Sequence, residues 1–198
     1  MELTGELPEI AGTKEGKLII IGCSRNVWEE VEKLMPMNCD VMCINDMISY
    51  YPYPMTHAYT NNERRLDTYW ASRRFHYKQK QKGKPLMHTL SKWGEDYIGW
   101  PFHGNGTSAF NACKAAVLMG YDDIVLCGLP MDGSGHFWEA PWMRSPKGRR
   151  ADEQYWNDIS LWSEARKKIF KGKITSMSGN TRDLLGSPDG EYQVRPGI

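Results

Sequence analysis

The sequence predicts an α/β fold, a three-layer Rossmann-like arrangement with a mostly parallel central sheet. Three observations carry this expectation. Short apolar runs, led by KLIII at Lys17 to Ile21, have the unbroken hydrophobicity of strands buried on both faces. These runs alternate with helical segments, as βα units do. Each run also stops at Gly, Asn or Asp, the residues that turn a chain. At 198 residues the chain suits one domain with a proper interior.

Residues 1 to 16 read as a loose polar lead-in. The first strand, Lys17 to Ile21, breaks at Gly22-Cys23-Ser24-Arg25-Asn26 into a helix from Val27 to Leu34, which Pro36 stops. Asp40 to Ile44 (DVMCI) is the second strand and closes in Asn45-Asp46. A weaker strand, His57 to Thr60, ends in Asn61-Asn62. A long polar helix follows, from about Glu63 to Lys82, ended by Gly83 and Pro85. Leu86 to Thr89 and Tyr97 to Phe102 are short extended segments. The turn Gly104-Asn105-Gly106-Thr107-Ser108 then opens a small-residue helix that Gly120 closes. The strand Ile124 to Cys127 comes next, and Gly128 starts a loop holding Asp132 and His136. A helix from about Ala151 to Phe170, a strand at Lys173 to Met177 and a short helix at Thr181 to Leu185 complete the pattern. The expected organisation is one nucleotide-binding domain over 1–198, with a small lid at about 132–152 and a flexible tail at 187–198.

Composition narrows the function. Lys+Arg of 25 against Asp+Glu of 24 gives a formal charge of +1, so no global field favours nucleic acid or a membrane surface. No run of about 18 apolar residues offers a bilayer span. The first residues lack the basic and apolar regions of a secretory signal. The 5 cysteines are odd in number and form no CxxC pair; they read as small core residues of a cytoplasmic protein. Many of the 8 Trp and 10 Tyr sit beside charges and read as amphipathic surface packing, with a stacking surface for a base or sugar as the alternative.

In open parallel sheets ligands bind outside the carboxyl ends of the strands. That rule selects the candidates. The turn Gly22 to Asn26 offers free backbone N–H groups at a helix start, with Ser24 and Arg25 as further phosphate partners. Asn45 and Asp46 can read a base edge or ribose hydroxyls. Gly104 and Gly106 allow close backbone approach, and Thr107 and Ser108 can cap the helix or hold a ligand oxygen. His136 is the first choice for a general base, since a near-neutral imidazole suits proton removal from a hydroxyl, and Asp132 can orient or replace it. His103 is a second candidate; His57, His76 and His88 read as structural or exposed. On the lid side, Arg149, Arg150 and Tyr155 are placed to meet a leaving phosphate. No acid pair or histidine motif marks a tightly held metal, and a magnesium ion carried by a nucleotide stays open.

The blocks IIIGCSRN, VMCINDM and a Thr107-Ser108 helix ending in MGY before DDIVLCGLPMDG resemble the bacterial sialyltransferase family that uses CMP-sialic acid. They are also similar to domains of flagellin glycosyltransferases and of an archaeal pterin pyrophosphokinase. The resemblance covers most of the chain in block order. It implies nucleotide contacts at Gly22, Ser24, Asn45, Thr107 and Ser108. Two departures stand out. The family's first turn reads GNGPSL where this chain has GCSRNV. The family's downstream catalytic histidine aligns near Arg149-Arg150-Ala151-Asp152, where there is none.

The resulting expectation is a glycosyltransferase-like enzyme moving a sugar from a nucleotide-sugar donor, CMP-linked by preference, to a hydroxyl acceptor, with no tightly bound cofactor. The alternatives are an ATP- and magnesium-dependent pyrophosphokinase, for which Asp46 and Asp132 would supply carboxylates, and a non-catalytic nucleotide- or protein-binding module. Partners are then small molecules, with self-association left open.

Overall fold

A computed structural model describes residues 3–34, 38–77, 83–91, 94–102, 106–139 and 159–188. Among these residues seven strands form one sheet: β1 (Lys17–Ile21), β2 (Asp40–Ile44), β3 (His57–Tyr59), β4 (Leu86–Thr89), β5 (Tyr97–Gly99), β6 (Asp123–Cys127) and β7 (Ile174–Ser176). Their order is β5-β4-β3-β2-β1-β6-β7, and every pairing is parallel. The expected sheet is therefore fully rather than mostly parallel.

Alternate residues of each strand feed opposite cores. Leu18, Ile20, Met42, Ile44, Ile124 and Leu126 pack toward α4 (Ser108–Met119) and toward α5, which runs helically over 159–165 and widens to a π-turn at Arg166–Phe170. In α4 the small residues Ala112, Cys113, Ala115 and Ala116 are fully buried, which lets that helix sit close to the sheet. Ile19, Ile21, Val41, Cys43 and Val125 face the other core, made with α1 (Val27–Leu34), α2 (Met47–Tyr50) and α3 (Glu63–His76). A last helix, α6 (Gly179–Leu185), follows β7. No helix among the described residues is long and apolar enough to cross a membrane.

Several expectations change. β3 stops at Tyr59 and β5 at Gly99, and Phe102 instead forms a lone antiparallel bridge with Leu3. The lead-in is consequently tied down: Thr4 N–H donates to Pro101 O at 2.9 Å, Gly12 N–H to Leu118 O at 2.9 Å and Lys14 N–H to Met119 O at 2.8 Å. Trp100, one of the tryptophans that the sequence reading counts among the aromatics beside charges and so packed at the surface, is fully buried, and so is Trp162. Helix α2 had no expectation at all.

From the amino ends of β2 and β3 a polar chain runs from half-buried Asp40 into the interior. Asp40 accepts from Tyr121 O–H and, at 2.8 Å, from Thr56 Oγ1. Burial opposes ionisation of Asp40, but these two hydrogen bonds, together with nearby positive charge such as Lys14, outweigh it and its pKa is lowered. Because the Tyr121 proton points at Asp40, its oxygen accepts from His57 Nε2 at 2.8 Å. His57 Nδ1 then accepts from His88 Nε2 at 2.9 Å, and His88 Nδ1 accepts from Trp100 Nε1 at 3.1 Å. Every donor has one acceptor, and both imidazoles are neutral. Burial pushes His57 down to about 4 and His88 well below its ordinary value. Their expected structural role holds.

Candidate functional site

After β1 the chain builds the sheet outward through β2, β3, β4 and β5, then returns to place β6 on the other side of β1. The β1–β6 boundary is thus where the strand order reverses, the point at which parallel sheets open a crevice at their carboxyl ends. The turns after these two strands are zipped together. Gly22 N–H donates to Cys127 O at 2.8 Å, Ser24 N–H to Gly128 O at 3.0 Å, Arg25 N–H to Gly135 O at 3.2 Å and Phe137 N–H to Cys23 O at 3.1 Å. Ser24 and His136 face each other as an antiparallel bridge pair.

A hollow of about 160 Å³ opens between the turns, and Gly22, Ser24, Asn45, Asp46, Asp132 and His136 are among its walls. A second hollow, about 440 Å³, begins at the same Asn45 and Asp46 and continues over Thr60, Asn61 and Ser108. Residues from the ends of β1, β2, β3 and β6 and from the start of α4 therefore share one continuous edge.

Local bonding explains how each is held. Asn45 adopts a left-handed backbone (φ 50°), and its side-chain oxygen accepts from Thr60 Oγ1 at 2.8 Å, so a ligand would meet its amide N–H groups. Asp46 lies 3.6 Å from Arg65. Burial, with the charge of Asp46 beside it, pushes the Tyr69 hydroxyl in the second hollow up to about 12, which keeps it protonated. Ser108 Oγ accepts from Asn61 N–H at 3.1 Å, and Asn61 Nδ2 donates to Gly106 O at 3.1 Å, joining β3 to the start of α4. Ser24 is 7% exposed, and its Oγ is buried with no hydrogen-bond partner. An unpaired buried hydroxyl costs roughly 1–3 kcal/mol, so it is a natural acceptor or donor for a ligand oxygen.

Other candidates take different roles. Thr107 is the N-cap of α4, accepting from Phe110 N–H at 3.2 Å, and lines neither hollow. Arg25 lines neither as well. Gly22 is needed for close packing of the two turns, since a Cβ there would collide with Leu129 and lie 2.6 Å from Gly128 O. Asp132 accepts from Ser134 N–H at 2.9 Å, which shapes its own loop. Gly104, His103, Arg149, Arg150 and Tyr155 lie outside the described residues, as do lid residues 140–152 and tail residues 189–198.

Sequence reasoning missed three supports. Glu30 of α1, 5% exposed, accepts from Gly128 N–H at 2.7 Å and from Ser178 Oγ, so one carboxylate anchors the β6 turn to the β7 turn. Thr181 Oγ1 donates to Leu129 O at 2.7 Å and Asn180 Nδ2 to Met131 O at 2.7 Å, fixing the loop wall from α6. The Ser178-Gly179-Asn180-Thr181 turn after a strand was the available signal. The third is Glu139, whose carboxylate accepts from His136 N–H at 2.8 Å.

No protein-family profile matches the sequence, and no curated protein does. Solved structures do match. A point variant of the sialyltransferase CstII in complex with CMP aligns with a TM-score of 0.62 at 16% identity, over 89% of this chain and 88% of that one. CstII with a trisaccharide acceptor and CMP gives 0.59 at 15% identity, over 92% and 88%. CstII from Campylobacter jejuni with the substrate analogue CMP-3FNeuAc gives 0.57 at 16% identity, over 87% and 88%. Identity this low establishes likeness of fold, and the fold is that of the group the sequence blocks resemble.

Proposed function

We propose that this protein transfers a sugar from a nucleotide-linked donor, CMP-linked by preference, to a hydroxyl acceptor. The observation that carries the reading is the hollow at the strand-order reversal, with the buried, unpaired Ser24 hydroxyl on one turn and His136 bridged to it on the other. Structures of similar fold hold CMP, a CMP-sugar analogue and a trisaccharide acceptor, which supports the choice of nucleotide and of a small-molecule acceptor. In this reading Ser24 and the backbone of its turn receive the phosphate, Asn45 and Asp46 hold the ribose, and the second hollow takes the base. Cofactor-sized ligands fill about 300–1,000 Å³, so the larger hollow suits a nucleoside and the smaller a phosphate and the reacting carbon. His136 removes the acceptor proton. No cofactor is tightly held, and any magnesium would arrive with the nucleotide.

Thermal shift and calorimetry with CMP, UDP and GDP test this. CMP is expected to raise the melting temperature most, and a ligand at 100 times its Kd adds about 2.7 kcal/mol. Absence of binding by all three ends the proposal. His136→Ala is expected to lower transfer by about 10²–10⁴-fold while CMP still binds. A second reading keeps one supporting observation: Asp46 and Asp132 line the same hollow, as a magnesium-ATP pyrophosphokinase would require. Binding of ATP that chelation abolishes, with no response to CMP, would favour it.

A further inference from the structure

The turn bearing His136 holds its backbone with two hydrogen bonds and its imidazole on two sides. The Glu139 carboxylate accepts from the His136 backbone N–H through Oε2 at 2.8 Å, and Glu139 N–H returns a bond to His136 O at 3.0 Å. The other carboxylate oxygen, Oε1, lies 3.4 Å from ring Nδ1, an atom that is buried and makes no regular hydrogen bond. Trp138 covers one ring face, stacked at 4.7 Å and 17°. Trp138 is itself braced by Tyr50 at 5.2 Å and by the edge of Phe137 at 4.8 Å, and Phe137 rests against Trp28 at 5.2 Å.

The holder depends on a glycine. A Cβ on Gly135, whose φ is 84°, would lie 2.6 Å from Glu139 Oε2 and 3.5 Å from an Arg25 guanidinium nitrogen. The left-handed backbone favours glycine here, and a side chain would press on the carboxylate oxygen that takes the His136 N–H. The Glu139 side chain is 14% exposed, so its charge acts on the imidazole through little solvent. Among the described residues, Arg25 from the first turn, Asp132 from the same loop and Asp46 after β2 are further charged groups near this place.

We propose that Glu139 is a positioning residue: together with Trp138 it fixes the His136 ring with the proton on Nδ1, leaving Nε2 as the basic atom at the hollow. This rests on the transfer reading above. The acceptor hydroxyl gives its proton to Nε2 as its oxygen bonds the anomeric carbon. The bond from that carbon to the phosphate oxygen breaks, and its electron pair leaves with the nucleotide. The resulting imidazolium is paired through Nδ1–H with the Glu139 carboxylate.

Nitrogen-15 NMR of the His136 ring, in wild type and in Glu139→Gln, tests the assignment without any substrate. Wild type should show the neutral ring protonated at Nδ1. Glu139→Gln has one oxygen for two donors, so the Nε2–H form should appear and grow. In the transfer assay that variant should lose at least ~10-fold in kcat, with KM and the CMP-induced melting shift held. A neutral wild-type ring protonated at Nε2 overturns the proposal by itself, whether or not the variant folds. An unchanged ring spectrum in Glu139→Gln overturns it too. A changed spectrum with turnover that His136→Ala leaves intact upholds the grip on the ring and removes the base from the transfer reading.

Discussion

Two polar groupings on the sheet behave in opposite ways. Asp40, Tyr121, His57, His88 and Trp100 form a chain that starts half-buried at the amino end of β2 and crosses the buried interior to Trp100, just past β5, and each proton in it has one acceptor. At the carboxyl edge, Ser24 Oγ and His136 Nδ1 are buried without a hydrogen bond, and Asn45 and Met131 take left-handed backbones. Satisfied networks rigidify a fold, whereas strained backbone and orphaned donors collect where something else is meant to bind. The contrast agrees with the sequence reading of the histidines: His57 and His88 belong to the scaffold, and His136 lines the candidate hollow.

The largest expected effect breaks the histidine network with acid. The folded pKa of His57 is depressed to about 4 by burial, while an unfolded histidine titrates near 6.5. Between these values the unfolded chain binds a proton that the folded chain refuses, so stability falls as pH drops from about 6.5 toward 4. His57 alone accounts for about 3 kcal/mol over that window, and His88 adds in the same direction. Urea denaturation at pH 7, 6, 5 and 4.5 reads this as a falling midpoint with a constant slope. A midpoint flat across the window would mean that the network is not buried and neutral.

A middle-sized effect sharpens the contrast through two glycines. An added methyl on Gly22 collides with Leu129 and presses on Gly128 O at the carboxyl edge; on Gly120 it meets Lys14 O, near the other end. Gly120 also has φ 113°, which L side chains avoid. Gly22→Ala and Gly120→Ala should each cost about 1–3 kcal/mol in melting experiments. Only Gly22→Ala should also weaken the CMP-induced shift, because it forces apart the turns that form the hollow. Equal loss of ligand response in both variants would detach the hollow from the nucleotide.

How much of this was legible depends on whether the cause is local. β1, α1, β2 and β4 fall where the sequence placed them, because an apolar run ending in Gly or Asn, or a helix stopped by Pro, carries its own boundary. Helix α2 has only Met47–Tyr50, too few residues to show a period. The docking of the lead-in rests on backbone hydrogen bonds, to which side-chain polarity gives no clue. At the candidate hollow, the grouping of Ser24, Asn45, Asp46, Asp132 and His136 was legible because strand ends converge by topology. Glu30 and Glu139 were not: Glu30 looks like a solvated acid until Gly128 N–H is brought to it by the fold, and Glu139 until the bend of its own turn folds it back onto His136 N–H. Trp100 was misplaced for a related reason, since the buried acceptor that takes its N–H, His88, lies on another strand.

The smallest effect decides between two roles of one hydroxyl. Thr107 accepts from Phe110 N–H at 3.2 Å as the cap of α4, a contact that alone accounts for its side chain. Its neighbour Ser108 lines the second hollow and accepts from Asn61 N–H. Thr107→Ala should therefore lower stability by about 1 kcal/mol and leave CMP affinity unchanged, and Thr107→Ser should restore the cap. Ser108→Ala should do the reverse, weakening CMP at little cost to the helix. Melting curves with and without CMP read both quantities on the same samples. Loss of CMP binding in Thr107→Ala beyond what the lowered stability accounts for would return Thr107 to the ligand, and the edge of the site would then extend one residue further along the α4 start.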